Sequence, residues 1–215
     1  MNESLIRSIR RRPPVSRRIE RVLWVFGFVA LAIPAISFFQ ARFYQREQTA
    51  LLNRALAIPT SRIPLPVELA EPPPVAADTA TPAEPTTPTL IGRLEIPRLG
   101  LSTIVREGVD ATTLKLAVGH IPETPFPWQP GNVGLAGHRD TFFRSLEGIR
   151  KNDLIRMTTL KGITTYRVES LRIVDPEEIS VLDSSADPVL TLVTCYPFIY
   201  VGSAPRRFIV RARGV

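Results

Sequence analysis

From Val22 to Phe39 no charged side chain interrupts a run of apolar residues, a pattern that predicts a helix just long enough to cross about 30 Å of hydrocarbon. Ala41 to Ala57 continues as a helix, with Leu51, Leu52 and Leu56 among Arg46, Glu47 and Arg54, and nothing in the pattern identifies what this segment packs against. Between residues 59 and 88 neither a period of two nor one of 3.6 survives. From Thr89 onward the pattern changes to short alternating runs, which predict strands over 90–96, 101–105, 131–137, 153–158, 164–174, 189–194 and 207–213. Helices are few. Asp110 predicts an N-cap for a helix carrying Thr112, Leu114, Leu116 and Val118 and closing at Gly119, and a second short helix is expected near 176–182. Many short strands with few helices argue for an all-β domain, closed or nearly closed into a barrel, and roughly 125 residues suffice for its core.

Composition sharpens the organisation. The chain has 21 prolines, about twice the usual share, and nine of them stand between Pro59 and Pro88 among Ala, Thr and Glu. Such a stretch cannot build a core and reads as a semi-rigid linker, with a reach on the order of 90 Å at about 3.1 Å per residue. The net charge of +7 could suggest nucleic acid, but Arg7, Arg10, Arg11, Arg12, Arg17, Arg18 and Arg21 all precede the apolar run. There they act as a topology signal that keeps the N-terminus in the cytoplasm and sends the rest across, with Trp24 and Tyr44 near the two interfaces. No small-residue cleavage site follows Phe39, so an uncleaved anchor is expected rather than a removed signal peptide. The expected organisation is a basic cytoplasmic segment 1–21, a transmembrane helix 22–41, a juxtamembrane helix 42–58, a Pro-rich linker 59–88 and a folded domain 89–215. Nucleic acid is not expected as a partner.

Candidate chemistry centres on Cys195, the single cysteine, which excludes an intramolecular disulfide. Along 189–195, alternation turns Leu190 and Leu192 one way and Thr191, Val193 and Cys195 the other, so the thiol ends a strand off its core face. A lone cysteine more often packs than reacts. Nucleophilic attack needs a thiolate, which is scarce unless a base or cation helps. Two histidines could help: His120 in Val-Gly-His-Ile-Pro, and His138 after a strand in Leu-Ala-Gly-His-Arg-Asp. A cation for a developing oxyanion could come from the last strand, where Phe208, Val210 and Ala212 form one face and Arg207, Ile209 and Arg211 the other. No cluster of His, Cys or paired acids has metal-ligand spacing, so neither metal nor cofactor is expected.

Thr191-Leu-Val-Thr-Cys195 resembles the TLxTC motif of sortases, the cysteine transpeptidases that anchor proteins on bacterial surfaces. Gly137-His138 resembles their histidine motif, Arg207 matches their arginine near the start of the last strand, and the likeness runs in order from about Thr89 to Val215. Tyr196-Pro-Phe198, Val201-Gly-Ser-Ala-Pro205 and the run Asn132 to Asp140 look most similar to class D sortases. The resemblance implies a closed eight-stranded β-barrel with Cys195, His138 and Arg207 meeting at one edge. It also implies a reaction, in which Cys195 cleaves an LPxTG-like sorting signal of a secreted protein and forms a thioacyl enzyme. An amine acceptor, either a cell-wall precursor or a pilin lysine, then resolves it. His138 would be the general acid and base, Arg207 would hold the carbonyl or oxyanion, and Thr194 would contribute to the substrate site. Asp140 is not assigned a role. Two other readings are a membrane-tethered barrel that binds without catalysis, and a different cell-wall cysteine transpeptidase or peptidase. All three catalytic-type residues are present, which counts against the first. The lack of a Gly-Cys-Arg type motif counts against the second.

Overall fold

The computed structural model describes residues 17–57 and 89–215, so the first sixteen residues and the Pro-rich linker expected over 59–88 lie outside the described residues. The chain divides into two compact units, one ending at Gln40 and one spanning Ala41–Val215. In the first unit, helix α1 (Arg17–Ala57) begins with the apolar stretch, and Leu23, Trp24, Phe26 and Phe28 are all exposed. This helix is long and apolar enough to cross a membrane.

The second unit is a closed barrel of eight strands in the order β1-β2-β3-β4-β7-β8-β6-β5. Their ranges are β1 Leu90–Ile96, β2 Leu101–Glu107, β3 Val118–His120, β4 Asn132–Ala136, β5 Leu154–Thr159, β6 Gly162–Val174, β7 Val189–Tyr196 and β8 Arg206–Gly214. Alternation turns Leu94 and Ile96, Ile155 and Met157, Leu190 and Leu192, and Val210 and Ala212 into one buried core. A smaller cluster of Val174, Val181 and Ile209, flanked by Leu182 and Val193, packs on the other side of β7 and β8. Here a short 3-10 helix, Ile179–Leu182, covers the barrel wall, so β7 is buried on both faces along most of its length. That double burial is why Val189, Leu190, Leu192 and Val193 put apolar side chains on both faces of the strand.

Asp110 caps helix α2 (Ala111–Leu116), its carboxylate accepting from the Thr112 and Thr113 amides at 2.9 and 3.0 Å. The helix is shorter than its pattern suggested. Val118 and Gly119 belong instead to β3, which pairs in parallel with β2 (Val105 opposite Val118) and antiparallel with β4 (Gly119 opposite Ala136). Pairing on both sides overrides the local helical pattern, and a strand of three residues is too short for alternation to reveal. The second expected helix is the 3-10 turn 179–182, and β7 runs on through Cys195 to Tyr196 because β8 pairs with it as far as Arg206.

The last part of α1 finds its partner on this barrel. Leu52 is buried, Gln45 accepts from the Ile104 amide at 2.8 Å and donates to the Leu116 carbonyl at 2.8 Å, and Arg93 donates to Asn53 at 3.1 Å. The Arg106 guanidinium lies 5.0 Å from the centre of the Tyr44 ring.

Gly100 closes the β1–β2 turn with φ 61°, and Arg98 in that turn reaches across to Asp153. Asp153 accepts from Arg98 Nη2 at 2.6 Å and from the Arg150 amide at 2.8 Å, while Arg98 Nη2 also donates to the Gly148 carbonyl at 2.6 Å. The hydrogen bond from Arg98 holds the Asp153 carboxyl below the usual carboxylate range. A depressed folded-state value contributes stability that is present above the unfolded value near 4 and is lost as pH falls through the folded value. Asp153→Asn should therefore destabilise the domain by about 1 kcal/mol at pH 7, a figure discounted because Arg98 is half open to water. In urea titrations that difference should shrink steadily below about pH 4; a constant gap down to pH 2 would show that Asp153 is not the titrating group.

Candidate active site

Strand β7 carries Cys195 between two neighbours. On one side β8 pairs antiparallel, with Thr194 opposite Phe208, Cys195 opposite Arg207 and Tyr196 opposite Arg206. On the other side β4 pairs in parallel up to Ala136 opposite Val193, and the Gly137 amide continues the ladder by donating to the Val193 carbonyl at 3.2 Å. Carried two residues past its last pair, that parallel register would set His138 level with Cys195. Three positions that are far apart in the chain thus arrive at one end of three adjacent strands.

Each part of Thr191-Leu-Val-Thr-Cys195 has a structural task. Thr191 is buried and donates to Asn132 Oδ1 at 2.7 Å, and Asn132 Nδ2 in turn donates to the Val181 and Asp183 carbonyls, both at 3.1 Å. That chain of bonds fastens the segment before β7 to the barrel wall. Leu192 fills the core, and Val193 packs outward with Ile209 under Val181. Thr194 faces inward with 3% exposure, and its hydroxyl donates to the Gly137 carbonyl at 2.7 Å. The expectation that Thr194 lines the substrate site meets a hydroxyl that is already turned to the backbone before His138. Cys195 then emerges half-buried beyond the outer layer, on the side of the sheet where alternation places Val193 and Arg207.

His138 is exposed, and its carbonyl accepts from the Phe143 amide at 3.0 Å, closing the turn that follows β4. A Cβ on Gly137 would come within 2.8 Å of the Phe143 ring, so the residue before His138 has to be glycine for that turn to pack. Among the described residues no carboxylate forms an ion pair with His138; Asp140 pairs with Arg139 Nε at 3.3 Å instead. Arg207 is half-buried, and its Nη1 donates to the Ala204 and Arg206 carbonyls at 3.3 and 3.2 Å. Its planar head therefore lies along the end of the β7–β8 loop.

His120 is separated from this group. It lies on β3 with 1% exposure, its Nδ1 donates to Glu107 at 2.8 Å, and its Nε2 lies 3.1 Å from the Pro125 carbonyl oxygen. Its ring stacks on Phe126, which stacks on Trp128, each pair with centroids 4.9 Å apart, and Lys161 Nζ lies 4.9 Å from the centre of the Trp128 ring. Glu107, His120 and Phe126 line a cavity of about 620 Å³ where the chain leaves β3 toward the start of β4, which is the opposite end of the barrel from Cys195. The prominent cavity and the cysteine are thus at different places. Arg139 and Arg144 also reach the β7–β8 loop, a role their sequence context did not signal. Among the described residues no group of three or more His, Cys, Asp or Glu side chains could hold a metal ion.

Residues 94–215 match the sortase domain family. The chain belongs to the sortase family. It is 38% identical to Sortase D of Bacillus subtilis strain 168 over 133 residues, which make up 61% of this chain and 67% of that protein. Among solved structures, the Clostridium perfringens Sortase D5 transpeptidase is 28% identical with a TM-score of 0.54, the match covering 59% of this chain and 79% of that one. Sortase C-1 from Actinomyces oris is 30% identical with a TM-score of 0.54, covering 58% of this chain and 72% of that one. The two D-type relatives agree with the class D likeness of the motif residues, and the closed eight-stranded barrel is the sortase fold. This sortase is a cysteine transpeptidase by family.

His120, stacked and bonded inside the barrel, should behave as a structural residue. His120→Ala is expected to lower stability by about 2–3 kcal/mol, through the lost bond to Glu107 and the lost stacking. Transpeptidation by the folded variant, measured well below its unfolding midpoint, should stay within a few-fold of wild type. A loss of several orders of magnitude would transfer catalytic duty to this histidine.

Proposed function

We propose that this sortase is a membrane-anchored transpeptidase that cleaves an LPxTG-like sorting signal through Cys195 and passes the new C-terminus to an amine. The observation that carries the reading is the direct cross-strand pairing of Cys195 with Arg207, with the His138 turn tied to the same strand through Thr194 and Gly137. Cys195 Sγ attacks the backbone carbonyl of the signal's threonine. As the tetrahedral intermediate collapses, the Thr–Gly amide breaks, protonated His138 gives its proton to the departing amine, and a thioester joins the substrate to Cys195. An incoming amine then attacks the thioester, gives up its proton to His138, and leaves with a new amide as the Cys195 sulfur is released.

Arg207 is assigned to the substrate carbonyl and the oxyanion. A guanidinium is always charged, and its donors lie in one plane, so it can point two N–H groups at a developing negative oxygen. Its contacts along the loop are to carbonyls at 3.2 and 3.3 Å, long bonds that a closer anionic acceptor can replace. Thr194 is assigned to positioning: its buried hydroxyl holds the backbone that leads to His138.

The membrane assignment rests on the exposed apolar helix and the arginines before it. By the positive-inside rule the basic N-terminus stays in the cytoplasm and the catalytic unit works outside, where secreted proteins and amine acceptors meet it. A barrel that binds without reacting is the other reading, and the pairing of Cys195 with Arg207, with Thr194 bonded to the residue before His138, favours catalysis over it.

The full chain in detergent, incubated with an LPxTG-type peptide and a glycine amine, should form an adduct on Cys195 visible by mass spectrometry and then release the amide product. Cys195→Ala should remove both signals. His138→Ala should lower kcat/KM by about 10²–10⁴-fold, and Arg207→Lys by about 10²–10³-fold. Wild-type rates from His138→Ala would remove the imidazole from the mechanism, and an adduct on a residue other than Cys195 would end the proposal.

A further inference from the structure

The loop joining β7 to β8 leaves after Tyr196, the residue next to Cys195, and returns at Arg206, the residue next to Arg207. Its outward side chains are apolar and open: Ile199 is 78% exposed and Val201 99% exposed. Phe198 turns inward, 6% exposed with its ring against Tyr196 and Phe208, and anchors the loop at one point. Around that point guanidinium groups hold the loop's backbone. Arg139, 6% exposed, donates from Nη1 to the Pro197 carbonyl and from Nη2 to the Tyr200 carbonyl, both at 2.7 Å. Arg144 Nη1 donates to the Phe198 carbonyl at 2.6 Å. The Arg139 head also lies 5.8 Å from the centre of the Tyr200 ring, and Asp140 balances part of its charge. Three of the four carbonyls from Pro197 to Tyr200 are therefore occupied by arginines from the turn that begins at His138.

We infer that Arg139 is a positioning residue for the transpeptidation: it joins the His138 turn to the loop between Cys195 and Arg207, so that all three groups keep one spacing. The inference rests on the roles proposed above for those three residues. Bidentate reach is what this task requires. Only a fork can satisfy two carbonyls three residues apart at 2.7 Å each, and a buried arginine that lost them would be left with a desolvated charge. The bonds are to backbone oxygens, so the clamp fixes where the loop runs without dictating its side chains. The apolar tip can vary while the spacing is kept.

The decisive comparison pairs a measurement of the loop with one of the reaction, on the full chain in detergent, for Arg139→Gln, Arg139→Lys and Arg144→Gln. Hydrogen exchange of the amides between Pro197 and Pro205 should quicken by about tenfold or more in Arg139→Gln, the change expected when charged hydrogen bonds are lost. In the same variant kcat/KM for a sorting-signal peptide should fall on the order of 10²-fold. The rate and pH profile of Cys195 alkylation by iodoacetamide, a small reagent that needs no groove, should stay as in wild type. Arg139→Lys should recover only part of the peptide rate, and Arg144→Gln, which frees one carbonyl, should show the smaller loss. Should Arg139→Gln not fold, Arg139→Lys and Arg144→Gln carry the same comparison.

Unchanged loop exchange in Arg139→Gln overturns the clamp. Quickened exchange with unchanged peptide turnover overturns the positioning role, as does a fall in alkylation equal to the fall in turnover, which would place Arg139 at the thiol itself. A wild-type chain that turns over no sorting-signal peptide refutes the proposed function instead, and in that case the exchange result still decides whether the clamp exists.

Discussion

Strand β7 is the constraint on which the site depends, because it is the one strand that touches both of the others involved. It pairs in parallel with β4 and antiparallel with β8, so the position of Cys195 relative to Arg207 is set by one ladder and its position relative to Gly137 by another. Register in a strand with a buried face is strongly specified, since a slip of one residue would turn Leu190 and Leu192 outward and Val193 inward. The buried bond from Thr194 to the Gly137 carbonyl adds a second lock at the place where the β4 ladder ends. The backbone positions of Cys195, Arg207 and Gly137 are therefore set by the strand ladders and the core packing beneath them.

The two threonines of the motif explain why a cysteine strand carries polar residues at buried positions. Thr191 spends its hydroxyl on Asn132, which holds the segment before β7, while Thr194 spends its hydroxyl on the residue before His138. A buried hydroxyl without a partner is costly, so each threonine is tolerated because a specific acceptor stands opposite it. Valine has a similar shape and could pack at either position, but it would leave the Asn132 side chain or the Gly137 carbonyl without its donor. The result is a strand that is anchored laterally on both faces and presents its thiol where those anchors end.

Much of this arrangement was legible in the residues, and the gaps have identifiable physical causes. Alternation along 189–195 and 207–213 already separated the core face from the face bearing Cys195 and Arg207, because a strand's side-chain period is two wherever it lies. Asp110 was readable as a cap because capping is local. Strand β3 was not readable: three residues carry no period, and Val118 and Gly119 continue a helical pattern until the partners on β2 and β4 decide otherwise. Arg139 was seen only as a neighbour of His138, since a guanidinium that bonds backbone carbonyls 58 and 61 residues away leaves no sign in sequence. His120 and His138 both follow a glycine, and the sequence set His138 apart by its place after a strand. Burial separates them: one is sealed under Glu107 and Phe126, the other is open at the strand end.

The end of α1 belongs to the same compact unit as the barrel. In β2, Ile104 precedes the point where β3 begins to pair at Val105, so its amide faces a gap in the barrel wall; Gln45 fills that gap by accepting from Ile104 and donating to Leu116. A buried backbone amide without a partner would cost about as much as a lost hydrogen bond, which makes this helical turn part of the barrel's own closure. A fragment that begins at Thr89 therefore lacks the Gln45 contacts to the Ile104 amide and the Leu116 carbonyl.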